Sequence, residues 1–306
     1  MKQTAVTDRI TYVEPDSMAG FSSCAGIMVR SKGKIFIDMN LSAAETPGIL
    51  EREKPDAAII THYHLDHSAW TRHVAGHSSA RVLIPEREEP YLTSLDFIID
   101  HTAGPLGMGE EWKDFVVNSL DYRPLTVYEG YTEKTSFHDL APEMVVLETP
   151  GHSPAHSSFY FPDEKILFSG DLGMDRFGPW YGWADCDIKK IVESLLRLDG
   201  LEVGLVLTSH GGMIQKEVHT AFLSCIRRIM EREEKILHRL DRGMSQADIV
   251  EQGVFYRDKD KVPEPMKSFL NMWDTAMFRH HEALIKEGGL IRFFPEIRRL
   301  AGDKKS

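Results

Sequence analysis

Long apolar runs and paired cysteines are missing from this sequence of 306 residues. No stretch of about 18 apolar residues occurs, which argues against a membrane-spanning helix. The N-terminal segment lacks the apolar core of an export signal, so we expect a cytoplasmic protein. The three cysteines, Cys24, Cys186 and Cys225, are odd in number and form no CxxC pair. They indicate reduced thiols rather than a disulfide framework or a thiolate zinc site.

Basic charge is scarce in the first two thirds of the chain. Residues 1–213 hold 18 Lys and Arg against 32 Asp and Glu, a net charge of −14, whereas residues 214–306 hold 18 against 15, a net charge of +3. An acidic body of this kind argues against nucleic acid as a partner. The slightly basic residues 214–306 are compatible with binding of a local anionic partner, although a solvated helix surface accounts for most of these charges.

Short apolar runs recur through residues 1–213 and predict an α/β domain. Runs rich in β-branched residues predict a hairpin around residues 31–33 and strands at 56–61, 80–85, 143–150, 157–161, 165–171 and 203–210. Helical spacing at 188–198 separates two of these strands. The pattern indicates mixed α/β structure with two layers of sheet available for packing.

Residues 88–130 interrupt this series with two amphipathic helical patterns around a Gly/Pro-rich turn. A lid over a site and a peripheral helical insertion are both open interpretations. From residue 214 onward, amphipathic patterns predict a mainly helical C-terminal domain, 214–306. Its long first helix is predicted to end at Gly243, and residues 290–294 are predicted to form a strand. Whether this domain or 88–130 covers the site is left open.

Four segments carry candidate metal ligands, and each follows a predicted strand. The candidates are His62, His64, Asp66 and His67 in THYHLDH, His152 in ETPGHSPAH, Asp171 in SGD and His210 in TSHGG. Strand ends are where α/β folds place reactive groups, because the sheet holds them rigidly. Residues two apart in an extended segment point to the same side, so one segment can serve two ions. Imidazole and carboxylate ligands suit zinc, and also iron or manganese.

These motifs, together with IFIDMN earlier in the chain, resemble the metallo-β-lactamase superfamily, nearest its glyoxalase II-like hydrolases. The resemblance implies an α/β fold, an αββα sandwich with a C-terminal mainly helical, winged-helix-like extension. It also implies two divalent metal ions, with His62, His64 and His152 holding one, Asp66, His67 and His210 holding the other, and Asp171 bridging them. Asp38 would support these ligands from behind. For His156, four residues after His152, a supporting role of this kind and a capped loop histidine are both open interpretations.

The activity that this resemblance implies is a dinuclear hydrolase using a metal-bound hydroxide on a thioester or another small acyl ester. Asp66 is the predicted catalytic residue, because it would orient the hydroxide. The C-terminal part of such thioesterases closes over the thiol carrier, so its basic residues are predicted to hold coenzyme A or glutathione. Trp180, Tyr181 and Trp183 are predicted to wall an apolar pocket, although a packing cluster also fits them.

Other activities use the same fold and stay open. A mononuclear iron oxidoreductase of the persulfide-dioxygenase type would use one ion, and a metal-dependent nuclease or phosphodiesterase would act on a phosphate chain. The short span from Asp171 to His210 leaves no room for a large nucleic-acid-binding insertion. Antibiotic hydrolysis is not expected, because Asp171 stands where the commonest β-lactamases of the family carry cysteine. The oligomeric state is open, a homo-oligomer included.

Overall fold

The computed structural model describes residues 1–17, 22–77 and 79–301. Within these residues the strands form two sheets. The larger sheet contains, in spatial order, β1 (Lys2–Ala5), β2 (Ile10–Glu14), β3 (Gly26–Arg30), β4 (Lys34–Ile37), β5 (Ala57–Ile59), β6 (Arg81–Pro85) and β7 (Glu129–Tyr131). Strands β1 to β4 pair antiparallel, and β4 to β7 pair parallel. The hairpin predicted around residues 31–33 is confirmed as β3 and β4.

The smaller sheet holds the strands predicted between residues 143 and 210. Its members are β8 (Val145–Glu148), β9 (Ser157–Phe161), β10 (Ile166–Phe168), β11 (Leu205–Leu207) and β12 (Met213–Ile214). Their spatial order is β12, β11, β10, β9, β8. Strands β10 and β11 run parallel and the other neighbours antiparallel.

Helices fill the connections and the C-terminal third of the chain. They are α1 (Glu45–Glu53), α2 (Leu65–Ser68), α3 (Arg72–His77), α4 (Glu89–Thr93), α5 (Leu95–His101), α6 (Gly109–Asn118), α7 (Ile188–Asp199), α8 (Val218–Asp241), α9 (Gln246–Gln252), α10 (Met266–Lys286) and α11 (Leu290–Phe293). Short 3-10 segments lie at Glu86–Glu88, Gly104–Leu106, Lys259–Lys261 and Pro295–Ala301. Within the described ranges, no helix has the length and apolar character needed to cross a membrane.

Successive side chains along each strand point to opposite faces of the sheet, so the core is divided into two layers. Ile37 of β4 and Phe168 of β10 lie in the core between the two sheets. Their neighbours Phe36 and Leu167 point the opposite way and pack into the outer core, which the helices share. All four side chains are fully buried. The result is the αββα sandwich expected from the sequence, with a helical region at the C-terminal end.

The C-terminal helices join the main body and also pack on one another. Phe222 of α8 and Trp273 of α10 belong to the outer core of the sandwich. Farther along, Ile236, Ile249 and Phe278 form a small core of their own between α8, α9 and α10. The sandwich and its helical region are therefore packed against each other, and the domain boundary after residue 213 stays a prediction.

The strand predicted at residues 290–294 is wrong, because Leu290–Phe293 is the helix α11. The amide of Phe294 donates to the carbonyl oxygen of Leu290, and the Leu290 amide donates to a carboxylate oxygen of Glu233 on α8. A short apolar run does not distinguish a strand from a helical turn. Tertiary contact with α8 decides the outcome here. Strand β7 also begins inside the segment that was expected to hold only helices.

Candidate metal centre

The predicted ligand segments meet at one edge of the sandwich. Strand β5 leads into residues 62–67, β8 into His152, β10 into Asp171 and β11 into His210. Because the parallel strands β10 and β11 present their carboxyl ends at the same edge, Asp171 and His210 arrive together. The structure thus brings all seven predicted ligands into two adjacent groups.

The first group, called here the three-histidine group, contains His62, His64 and His152. Their candidate ligand atoms lie within 4.8 Å of one another. All three side chains are buried, and Nε2 of His62 lies 3.1 Å from Nε2 of His152. Among the described residues, Nε2 of His64 has no hydrogen-bond partner. Three imidazoles therefore converge on a point that the protein itself does not satisfy.

The hydrogen bonds behind these rings fix where their protons lie. The hydroxyl of Thr61 donates to Asp38, so its oxygen accepts from Nδ1 of His62 at 2.9 Å. Nδ1 of His152 donates to the carbonyl oxygen of Trp180, also at 2.9 Å. With the proton on Nδ1, a neutral imidazole presents a lone pair at Nε2. Two lone pairs therefore face each other across 3.1 Å, an arrangement that a cation would stabilise.

The second group, called here the mixed group, contains Asp66, His67, Asp171 and His210. Nε2 of His210 lies 3.0 Å from a carboxylate oxygen of Asp66 and 3.6 Å from one of Asp171. The same oxygen of Asp171 lies 3.3 Å from Nε2 of His152 in the first group. Asp171 is thus the residue whose carboxylate reaches both groups, as a bridging ligand must.

The two groups differ in charge. Burial lowers the pKa of His62, His64 and His152, so these imidazoles are neutral. Burial would also lower the pKa of His210, but Asp171 and Asp66 outweigh it and raise that pKa to about 9. In Asp66, burial is outweighed by His67 and His210, which lower the pKa of the carboxyl group. Without a metal ion, the protonated His210 therefore offsets the negative charge of the carboxylates in the mixed group.

Asp38 lies behind the candidate ligands. One carboxylate oxygen accepts from the Thr61 amide at 2.8 Å, and the other accepts from Nδ1 of His67 at 2.8 Å. The second contact occupies Nδ1 of His67 and leaves Nε2 facing the mixed group. Among the described residues Nε2 makes no hydrogen bond, and it lies 3.6 Å from a carboxylate oxygen of Asp66. Asp38 has a positive φ of 55°, which bends the chain after β4 so that the carboxylate turns toward the site.

His156 holds the backbone of the bridging residue. Its Nε2 accepts from the Asp171 amide at 3.0 Å, and its Nδ1 bonds to the hydroxyl of Thr149 at 2.9 Å. Gly170 allows this approach, because a Cβ at that position would lie 2.5 Å from Nε2 of His156. Both ring nitrogens of His156 are therefore engaged by protein groups, and one of them holds the backbone of Asp171.

Sequence reasoning missed Glu88, which is fully buried. Its carboxylate accepts from the amides of Tyr63 and Ala155, each at 2.7 Å, and from the hydroxyl of Ser153. These partners belong to the loops that carry the three-histidine group, so Glu88 ties the two loops together. Burial raises the pKa of Glu88 to about 7, against the opposing effect of these hydrogen bonds. Its position in the charged run PEREEP gave no sign of this role.

A cavity of about 740 Å³ opens in front of both groups. Of the three aromatic residues expected to wall a pocket, Trp180 and Trp183 line this cavity and Tyr181 is not among its lining residues. Tyr181 is fully buried and bonds instead to Nε2 of His281, with Arg232 donating to its hydroxyl oxygen. Trp180 and Tyr181 are chain neighbours that project to different surroundings, so only one of them can face the cavity.

Two stacked sheets between helical layers, with histidines and aspartates gathered at one edge, define a class of α/β sandwich built around a metal site. A family model described as the metallo-beta-lactamase superfamily matches residues 45–210. This span is more than half of the chain and holds all seven candidate ligands. The chain belongs to the metallo-β-lactamase superfamily.

Individual proteins and structures support the same fold. The chain is 25% identical to “Probable metallo-hydrolase YflN” of Bacillus subtilis, over 60% of this chain and 78% of that protein. The metallo-beta-lactamase family protein TTHA1429 of Thermus thermophilus superposes with a TM-score of 0.71 at 21% identity, covering 93% of this chain and 95% of that one. A beta-lactamase domain protein of Burkholderia ambifaria gives a TM-score of 0.71 at 18% identity, covering 94% and 89%. Coverage this high extends the shared fold to the C-terminal helices.

Proposed function

We propose that this chain is a metal-dependent hydrolase that holds two divalent ions and cleaves a thioester or another acyl ester of a small molecule. The observation that carries the proposal is the pair of facing Nε2 atoms of His62 and His152. Neutral lone pairs at that distance repel each other unless a cation lies between them. The name of one relative, “Probable metallo-hydrolase YflN”, agrees with this activity.

The ligand assignment follows from the two groups. His62, His64 and His152 would hold one ion, and Asp66, His67 and His210 would hold the other, with Asp171 shared between them. Nitrogen and oxygen donors in this combination suit zinc, and also iron or manganese. Ions bound there would supply Lewis-acid activation of a substrate carbonyl and of a water molecule.

The side chains around the cavity favour water as the nucleophile. Among the described residues that line it, none is a serine, threonine, cysteine or lysine, the side chains that most often form an acyl-enzyme. Asp66 lines the cavity, and its lowered pKa keeps it ionised. We assign it the catalytic role of accepting a hydrogen bond from the attacking water and orienting it.

The same contacts weigh against the two alternative activities. A mononuclear iron oxidoreductase needs only one ligand set, whereas this chain gathers two. A nuclease or phosphodiesterase would need cations to dock a phosphate chain. The cavity-lining residues that the structure describes include one arginine, no lysine and three aspartates, Asp66, Asp171 and Asp175. A neutral acyl ester fits such a site better than a polyanion does.

The test combines elemental analysis with a substrate panel on one purified sample. We expect about two divalent ions per chain, hydrolysis of acyl esters or thioesters, and no cleavage of phosphodiesters. Chelation should abolish turnover, and re-adding the ion should restore it. One iron per chain with oxygen uptake would instead support the dioxygenase. Undiminished turnover after complete metal removal would refute both metal-dependent assignments.

A further inference from the structure

The wall of the cavity that faces the metal centre is built almost entirely from apolar side chains, and it draws on distant parts of the chain. The insertion helices α5 and α6, the loop after Asp171 and the C-terminal helical region all contribute to it. The residues concerned are Ile98, Trp112, Phe177, Trp180, Trp183, Phe255, Tyr256 and Trp273. A cavity of about 740 Å³ with such a lining has the size and character of a site for a sizeable apolar ligand.

The aromatic wall begins at the ligands themselves. The ring of Trp180 stands edge-on to those of His64 and His152, with centroid distances of 5.6 and 5.8 Å. Trp183 lies 5.9 Å from Trp180 and 5.7 Å from Trp273, so the rings form a continuous surface. A group attached to the reacting carbonyl would therefore pass directly from the metal centre onto aromatic faces.

Buried polar contacts hold the C-terminal part of this wall in place. A carboxylate oxygen of Asp274 on α10 accepts from the amide of Phe255 at 2.8 Å and from that of Tyr256 at 3.3 Å. The other oxygen forms a buried ion pair with Lys259 at 2.8 Å. The hydroxyl of Tyr256 accepts from Nε1 of Trp180 at 2.7 Å. The wall is thus preorganised rather than left to form around a ligand.

The basic residues beside the cavity do not offer a site for a charged carrier. Arg228 donates to the carbonyl oxygen of Arg176, and Arg232 donates to those of Phe177 and Pro179. These guanidinium groups thereby support the loop that carries Trp180. A coenzyme A or glutathione carrier brings several negative charges, whereas Arg176 is the sole Lys or Arg among the described lining residues. Recognition through the C-terminal region therefore rests on apolar contact.

We infer that the cavity binds a bulky apolar acyl group, aliphatic with about six or more carbons or aryl, and that the C-terminal region sets this specificity. The inference rests on the proposed function for the identity of the reacting bond. The binding energy of the acyl group, however, would come from the aromatic wall. Each methylene moved from water onto that wall should tighten binding roughly three- to fourfold.

The test is calorimetric titration of the full, metal-loaded chain with acetate, butanoate, hexanoate, octanoate and 3-phenylpropanoate. We expect the dissociation constant to fall roughly three- to fourfold per methylene, and the value of kcat/KM for the matching 4-nitrophenyl esters to rise in parallel. Affinity that does not change with chain length would overturn the inference. If the binding series holds while no ester is cleaved, the proposed function fails and the apolar site stands.

Variants locate the effect in the wall. Phe255→Ala should weaken octanoate binding about tenfold and acetate binding far less. Phe293→Ala is the matched control, because Phe293 is exposed on α11 and lies outside the cavity. Ile98→Phe makes the opposite change by filling the cavity from α5, and it should weaken octanoate more than acetate. Equal effects on both acids in Phe255→Ala and Ile98→Phe would also overturn the inference.

Discussion

The three-histidine group and the mixed group lie side by side, yet they solve the problem of burying polar side chains in opposite ways. His62, His64 and His152 are neutral, and the Nε2 lone pairs of His62 and His152 face each other across 3.1 Å. The mixed group pairs Asp66 with His210, whose pKa of about 9 keeps it protonated at neutral pH. One group is prepared for a cation, whereas the other is already neutralised by protons.

This difference predicts how the two proposed metal sites would fill. An ion that enters the three-histidine group displaces no proton at neutral pH, because burial has already removed them. An ion that enters the mixed group must release the proton of His210 and compete with its ion pairs. We therefore expect the three-histidine site to fill over a wide pH range and the mixed site to bind more weakly as pH falls.

The largest expected effect comes from removing the residue that joins the groups. Asp171→Ala should lower kcat/KM by about a thousandfold or more and abolish metal loading, because its carboxylate reaches both His152 and His210. His64→Ala should likewise lose metal and activity, although the mixed group keeps its ligands. Elemental analysis and ester hydrolysis measure both effects.

Folding should survive in these variants, because the core between the sheets contains none of the ligands. Circular dichroism would check this. Asp163→Ala, at an exposed aspartate, is the matched control and should keep full metal content and activity. Turnover by a metal-free Asp171→Ala sample would contradict the assignment of the centre.

A smaller effect is expected in the stability of the metal-free protein. The pKa of His210 is raised to about 9 in the folded chain, so its contribution is complete below pH 6.5 and is lost as pH rises through 9. We expect a loss of about 2–3 kcal/mol in the free energy of unfolding over this window. The three-histidine group acts in the opposite direction, because its pKa values are lowered and stability falls as pH drops below 6.5.

Urea unfolding of chelated and metal-loaded samples at pH 5.5, 7 and 9 tests this contrast. The loss above pH 7 should be present in the metal-free protein and absent once the ion has displaced the proton of His210. An equal alkaline loss in both samples would show that other groups cause it.

Asp38→Asn is expected to have a smaller effect, on metal affinity at the mixed group. Nδ1 of His67 donates to Asp38, and the amide would weaken that bond without changing the size of the side chain. We expect metal affinity at the mixed group to fall about 10- to 100-fold. Asp56→Asn is the control, because Asp56 accepts from the Lys34 amide at the opposite end of β4. Competition with a coloured chelator measures the affinity; equal losses in the two variants would refute the positioning role.

That the candidate metal ligands lie together could be predicted from the sequence, because they are encoded locally. His62 to His67 fall within six positions directly after a strand, and His152, Asp171 and His210 each end a recognisable apolar run. The edge at which they meet follows from the parallel pairing of the strands. Short sequence motifs and the predicted ends of strands were sufficient to predict that these residues lie together.

The supporting residues and the cavity could not be predicted in that way. Glu88 lies in a charged run where nothing marks it as buried, and Trp112 and Trp273 come together from helices far apart in the chain. Tyr181 follows Trp180 directly but turns to α8 and α10. Tertiary packing decides each of these placements, and no local period or spacing reports it.

Glu88→Gln is expected to have the smallest effect. It tests whether metal binding at the two groups can be changed separately. Three donors approach the Glu88 carboxylate, and they come from the loops carrying His62, His64 and His152. An amide keeps one acceptor oxygen and turns an NH₂ group toward a donor, which leaves a buried bond unmade. We expect a loss of about 1–3 kcal/mol in the free energy of unfolding, measured in urea.

The same variant should weaken metal binding at the three-histidine group more than at the mixed group. Glu88 bonds beside His62, His64 and His152, whereas Asp171 and His210 of the mixed group lie on loops that it does not contact. Titration of the chelated protein with zinc, followed by competition, resolves the two sites. Glu86→Gln, two residues earlier and exposed, is the matched control and should behave as the parent chain. Equal weakening of both sites by Glu88→Gln would mean that the two groups form one rigid unit, and the contrast between them would then lie in their charge alone.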